Sequence, residues 1–163
     1  MQQLLQKFWS QTFLPMLSRP RRLQVAALCF RRTDTGCEVL LVTSRDTGRW
    51  VIPKGWPMEG KSSAESAAQE AWEEAGVRQG QFDEAPVGRF EYDKRLDNGT
   101  AEPLETLVYA IEVEDLRNDF PEAHERKRNW VPPQEAAQMV REPQLQDLLN
   151  SFRPSFRTSS TNS

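Results

Sequence analysis

Histidine is almost absent from this chain: His124 is the single one in 163 residues, and the cysteines are Cys29 and Cys37. A structural zinc site of four Cys/His ligands is therefore excluded, as is a multi-histidine active centre. Two cysteines form no evident disulfide framework, so a reducing cytoplasmic compartment is the default. No apolar run approaches the roughly 20 residues needed to cross a bilayer, which excludes a membrane-spanning helix. Acid is missing altogether from residues 1–33, where six bases stand: Lys7, Arg19, Arg21, Arg22, Arg31 and Arg32. The rest of the chain then holds 15 bases against 24 acids. An acidic body argues against a nucleic-acid coat, whose affinity comes from cations on phosphates. It suits a protein that gathers carboxylates around a metal.

What is present is enough for one domain. Hydrophobic residues make up 37% of the chain, which supplies a core, and 28% are charged, as in an ordinary soluble protein. Residues 1–20 read as an N-terminal extension, with Leu4, Leu5, Phe8 and Trp9 at helical spacing and Pro15 as a stop. Residues 21–150 read as the folded domain, and 151–163 as a polar tail expected to be disordered. Within the domain, strands are predicted over Leu23–Phe30, Glu38–Ser44, Trp50–Ile52, Val87–Tyr92 and Glu105–Val113, with a last one at Trp130–Val131. Helices are predicted at Ser63–Ala75, from Pro133 to about Val140, and around Gln144–Asn150. Strands and helices mix without a regular alternation, so the fold class expected is α+β, a mixed sheet flanked by helices.

The chemistry is concentrated in GWPMEGKSSAESAAQEAWEEAGV, residues 55–77. Ser62-Ser63-Ala64-Glu65 has the form of a capping box and Gly76 that of a C-terminal stop. At 100° per residue, Glu73 and Glu74 fall within about 60° of Glu70, so three carboxylates share one helix face. Ala64, Ala68, Ala71 and Ala75 form a second, smooth face suited to a sheet, and Ser66 and Ala67 are small enough to leave space above the acids. Each like-charge pair at this spacing costs roughly a few tenths of a kcal/mol, and the helix dipole adds to the penalty near its C-terminus. Stability alone gives no reason for the cluster. A hard divalent cation with oxygen ligands, Mg²⁺ or Mn²⁺, would reverse its sign.

The segment resembles the Nudix box, G-x5-E-x7-R-E-U-x-E-E-x-G-U, in which U is a bulky aliphatic residue. Gly55, Glu70, Glu73, Glu74, Gly76 and Val77 match at the family's spacing; Lys61, Gln69 and Ala71 stand where the box has Glu, Arg and a larger aliphatic. In the family that Glu and Arg brace the loop against the helix, and here both are replaced together, which strands no charge. RLQVAALCFRR, EVLLVTSRDTGRWVIPKGW and PEAHERKRNW extend the likeness to the diphosphoinositol polyphosphate phosphohydrolase subgroup.

The resemblance implies an α/β/α sandwich with a mixed sheet and a loop-helix-loop catalytic motif. It implies divalent-metal-dependent hydrolysis of a phosphoanhydride in a diphosphoinositol polyphosphate or dinucleoside polyphosphate. Carried over by position, Glu70, Glu73, Glu74 and the backbone carbonyl of Lys54 are the metal ligands expected, with Glu70 and Glu73 catalytic and the general base left open. Arg22, Arg45, Lys94, Arg95 and Gly55 are the substrate-binding candidates; Arg49 and the run Arg126-Lys127-Arg128 offer further cations. Glu105 or Glu112 could add a carboxylate. Trp56 either packs or stacks on a base; Trp50 and Trp72 are expected to be structural. The partner expected is a phosphorylated small molecule. A second reading, resting on Lys61 and Gln69, is a Nudix-fold module that binds nucleotides or inositol phosphates without turnover.

Overall fold

Alternation along the first strand builds three layers. The computed structural model describes residues 21–155, so the expected extension over residues 1–20 and the last eight residues of the expected tail lie outside the described residues. Strand β1 (Arg22–Thr33) buries Val25, Ala26, Ala27, Leu28 and Cys29 completely, on both faces. A continuous apolar run of this kind marks a strand with a helical layer on either side. Ala26, Leu28 and Phe30 join one core; Val25, Ala27 and Cys29 join the other.

The remaining elements are β2 (Gly36–Thr43), β3 (Trp50–Val51), β4 (Lys54–Gly55), α1 (Ser63–Ala75), β5 (Val77–Phe82), β6 (Gly88–Arg95), β7 (Ala101–Leu116), β8 (Arg128–Val131), α2 (Pro133–Met139) and α3 (Pro143–Ser151). The sheet runs β3-β2-β1-β7-β5, with β4 on β1, β6 on β7 and β8 on β2. Strands β1 and β7 are parallel, from Arg22 opposite Leu104 to Phe30 opposite Glu112, while the other pairings are antiparallel. The mixed sheet expected is thus the one observed. Helix α1 lies against one face through Ala64, Ala67, Ala71 and Ala75. On the other face, Ala136, Ala137 and Val140 at α2 join Leu145, Leu149 and Phe152 at α3. Each Leu buried in this way contributes about 1.5–3 kcal/mol over leaving it in water.

Two strands went unpredicted. Val77–Phe82 is polar along most of its length and exposed except at Val77 and Gly80, so its periodicity carries no signal. Lys54–Gly55 is two residues long, and it exists because Val25 and Ala26 of β1 stand opposite it. The expected break at residue 151 also moves outward. Phe152 is 7% exposed and packs edge-on against Phe30, so the folded body includes it. Among the described residues no helix is long and apolar enough to cross a membrane.

Candidate active site

The loop from β4 into α1 is held by short-range bonds that the sequence encodes. Ser62 Oγ accepts from the Glu65 N–H at 3.1 Å, and Glu65 Oε1 accepts from the Ser62 N–H at 3.0 Å, completing the capping box. Gly76 ends the helix at φ 78°, where a side chain would be strained and its Cβ would stand 2.4 Å from the Arg117 carbonyl oxygen. Arg128 Nη1 caps the same end, donating to the Ala75 carbonyl at 2.9 Å. Instead of a Glu–Arg brace, Ser66 Oγ, fully buried, accepts from the Met58 N–H at 3.0 Å and ties the loop to the helix. Gln69 Nε2 donates to Glu73 Oε1 at 3.2 Å, and Lys61 is exposed. Ser66 and Ala67 therefore leave no open space above the acids: the first is bonded to the loop and the second is packed in the core.

With its alanines in the core, α1 turns its carboxylates to a cavity of about 720 Å³. Glu70, Glu73 and Glu74 line it, together with Lys54, Gly55, Arg45, Lys94 and Arg95. A Cβ at Gly55 would lie 2.1 Å from Glu70 Oε1, so any side chain there would displace the Glu70 carboxylate from its present place. The Lys54 N–H donates to Glu74 Oε2 at 3.1 Å. Of the substrate-binding candidates Arg22 is not brought to the cavity, and of the further cations Lys127 and Arg128 also lie outside its lining. The Arg22 guanidinium bonds Glu102 at 2.8 Å and lies 4.2 Å from the centroid of the Trp56 ring. Trp50 packs against the core as expected, whereas Trp56 is 37% exposed and lines the cavity.

Three functional groups were missed or misplaced in the sequence. Glu105 pairs with Arg89 at 2.9 Å and Glu112 with Arg32 at 3.2 Å, and neither lines the cavity. The carboxylates that line it besides those of α1 are Asp46, Asp93 and Glu122, the last from the loop after β7. Arg126 is the second group. Its side chain is 6% exposed and bonds Glu74 at 3.1 Å, Glu122 at 3.3 Å and the Thr43 carbonyl at 2.9 Å. The third is the Lys54 ammonium, 5.7 Å from the Tyr92 ring centroid. Burial lowers its pKa, opposed by Glu142 and Glu74. The four-residue spacing of Glu122 and Arg126 was a faint signal, but nothing local says that their loop folds over α1.

The carboxylates are under electrostatic stress. Burial pushes Glu70 up to about 8, with Glu74, Glu73 and Glu122 adding repulsion and Arg126 alone opposing. Burial also raises Glu74, countered by Arg126 and the Lys54 N–H. Among the described residues no three Asp, Glu, His or Cys side chains stand in a ready-made ligand set. The donor chemistry nonetheless fits a hard divalent cation: oxygen ligands only, and buried anions with too little positive charge beside them.

That stress has a pH signature. The Glu70 carboxyl is pushed up to about 8 in the fold, against 4.5 for a free glutamate side chain, so folding binds protons across that window. The contribution is fully present below 4.5 and is lost as pH rises to about 8. Glu142 shifts the opposite way, downward, so its effect falls at more acidic pH. EDTA-treated protein is expected to melt at a lower temperature at pH 8 than at pH 5.5, and Mg²⁺ to raise the melting temperature more at the higher pH. Equal melting temperatures at both values in EDTA would show that Glu70 is not held protonated.

A family model of the NUDIX domain matches residues 20–152. "Nudix hydrolase 12, mitochondrial" of Arabidopsis thaliana is 33% identical over 118 residues, 71% of this chain and 58% of that protein. "Diphosphoinositol polyphosphate phosphohydrolase 3-beta" of Homo sapiens is 32% identical over 120 residues, 72% of this chain and 68% of that protein. The matched region spans 58–63% of three Arabidopsis relatives. Among solved structures, C. elegans Ap4A hydrolase superposes with a TM-score of 0.60 at 18% identity, covering 80% of this chain and 95% of the other. At that identity the likeness speaks to the fold alone.

Proposed function

The chain belongs to the NUDIX domain family, and from that premise we propose that it is a divalent-metal-dependent hydrolase of a phosphoanhydride, in a dinucleoside polyphosphate or a diphosphoinositol polyphosphate. The observation that carries this reading is one cavity in which Glu70, Glu73 and Glu74 face Lys54, Arg45, Lys94 and Arg95. Acids suited to a cation and bases suited to phosphate oxygens are needed together for this chemistry and for few others.

Glu70 and Glu74 would hold Mg²⁺ or Mn²⁺, with the Lys54 carbonyl as a further ligand. The bound ion would lower the pKa of a water and neutralise charge on the phosphate oxygens. Glu73 is the carboxylate best placed to move a proton: Gln69 orients it at 3.2 Å, and it is less buried than Glu70 or Glu74. Arg45 is pre-positioned by Glu122 at 3.0 Å and is 55% exposed, so it can turn to a phosphate. Lys94 and Arg95 end β6 at the rim, where a second phosphate would lie.

The test is a hydrolysis screen over diadenosine tetraphosphate, a diphosphoinositol polyphosphate and nucleotide sugars, with Mg²⁺, Mn²⁺ or EDTA. Metal-dependent release of phosphate or nucleotide is expected. Recovery of every substrate intact with metal present would overturn hydrolysis. Tight binding with no turnover would favour the binding-module reading, which rests on Lys61 and Gln69.

A further inference from the structure

We propose that an apolar strip of the sheet beside α1, running from Leu23 through Leu107 and Val87 to Phe82, is the docking surface for this chain's own residues 1–20. The strip lies outside the catalytic cavity, and the inference does not depend on the reaction assigned to that cavity.

The large hydrophobic side chains exposed among the described residues are Leu23, Trp56, Phe82 and Val87. Trp56 lines the acidic cavity and the other three do not. Those three share one face of the sheet. Val25 belongs to the core under α1, so Leu23, two residues earlier, stands on the same side. Phe82 is paired with Ile111 of that core, and with Ile111, Ala68 and Trp72 it lines a groove of about 770 Å³. Phe90 belongs to the opposite core, which puts Arg89 and Val87 on the α1 side. The Val87 N–H continues the ladder by donating to the Val108 carbonyl at 2.8 Å. Leu107, partly buried and paired with Val25 on one side and Arg89 on the other, joins Leu23 to Val87. Arg89, bonded to Glu105 at 2.9 Å, supplies a polar rim.

The two faces of β6 are finished differently. On one, α3 closes over the strand: Gln144 Oε1 accepts from the Glu91 N–H at 2.6 Å, and Leu148 stands against Gly88. On the α1 side Val87 is left 48% exposed.

Four observations name residues 1–20 as the occupant. The first is place. The Arg21 guanidinium lies 3.5 Å from Glu91 and 3.7 Å from Asp93, so the chain enters β1 at the edge of the strip, two residues before Leu23. The second is pattern. Leu4, Leu5, Phe8 and Trp9 at helical spacing form an apolar stripe, which needs a surface to bury it. The third is length. From Leu23, opposite Glu105, to Phe82, opposite Ile111, the strip runs about 20 Å along β7. A helix from Leu4 to the residue before Pro15 is about 16 Å long, and residues 15–20 are enough chain to turn it back onto the sheet. The fourth is charge. Residues 1–20 carry Lys7 and Arg19 and no acid, whereas Asp83 and Glu84 stand exposed between Phe82 and Val87.

A double-mutant cycle on the full chain tests the proposal. Trp9→Ser and Val87→Ser are melted singly and together, with Trp9→Phe as the conservative control. Each variant is checked by circular dichroism and its mass by light scattering. Each serine variant is expected to melt about 4 °C lower, and the double variant no more than about 5 °C lower, because both changes remove one shared contact. Trp9→Phe is expected to keep most of the wild-type value. Amide hydrogen exchange over residues 82–90 is expected to quicken several-fold in Trp9→Ser. Additive losses in the double variant, or unchanged melting and exchange in Trp9→Ser, would overturn the proposal. So would a wild-type dimer that either serine variant dissociates, since the strip would then belong to a second copy.

Discussion

Replacing Glu73 with glutamine is expected to lower kcat for the best substrate about 10³-fold, the range for removing a general base, while leaving the melting temperature almost unchanged. Both halves follow from the site. Glu73 is partly exposed, and its side-chain bond is the 3.2 Å contact from Gln69, which a glutamine can replace with its own amide oxygen. The substitution therefore removes a proton acceptor and a negative charge with little disturbance of packing. Glu70→Gln contrasts with it. That carboxyl is buried and pushed up to about 8, so neutralising it relieves repulsion and should raise the stability of metal-free protein at pH 8 while also abolishing activity. Steady-state kinetics and thermal melts on the two variants separate the roles. Unchanged kcat in Glu73→Gln would remove that residue from the mechanism.

Arg126→Met is expected to cost about 3–5 kcal/mol, the range for breaking a buried ion pair on one side only. For a chain of this size that is a fall of about 10 °C in melting temperature. Arg126 is 6% exposed and stands between Glu74 and Glu122 at 3.1 and 3.3 Å. Methionine keeps the stem volume but leaves Glu74 and Glu122 facing each other without a cation. Arg45, 3.0 Å from Glu122, can compensate one of them from the surface. Because Glu74 is also an expected metal ligand, Mg²⁺ should restore more stability to the variant than it adds to wild type. A melting temperature within about 2 °C of wild type in EDTA would show that the arginine is not the counter-charge of this wall.

The fold was legible where one element contains its own signal. Helix α1 has its capping box, its C-terminal glycine and its alanine face within residues 62–76, and it lies where the spacing places it. Strand β1 announces itself because both faces are buried and its apolar run from Val25 to Phe30 is unbroken, and β7 through its apolar stretch from Leu107 to Ile111. Val77–Phe82 is the converse: mostly polar and exposed, it becomes a strand because β7 offers it an edge. The small residues Ser66 and Ala67 illustrate a different limit. Helical angle alone put them above the acids, but the β4–α1 loop and the sheet claim that space.

The site divides in the same way. Chain order by itself determined that three carboxylates share one face of α1, that Gly55 precedes them in the loop and that Gly76 follows. Helical periodicity is a local property, so it can be read from a window of twenty residues. Which charges stand opposite was decided by the tertiary structure alone. Glu122 and Arg126 arrive from a loop some fifty residues later, Arg22 is held by Glu102 and the Trp56 ring, and Glu105 and Glu112 are drawn off by arginines on neighbouring strands. Coulombic pairing depends on distance in space, and the sheet, by setting β1 beside β7 and the loop after β7 over α1, is what sets those distances.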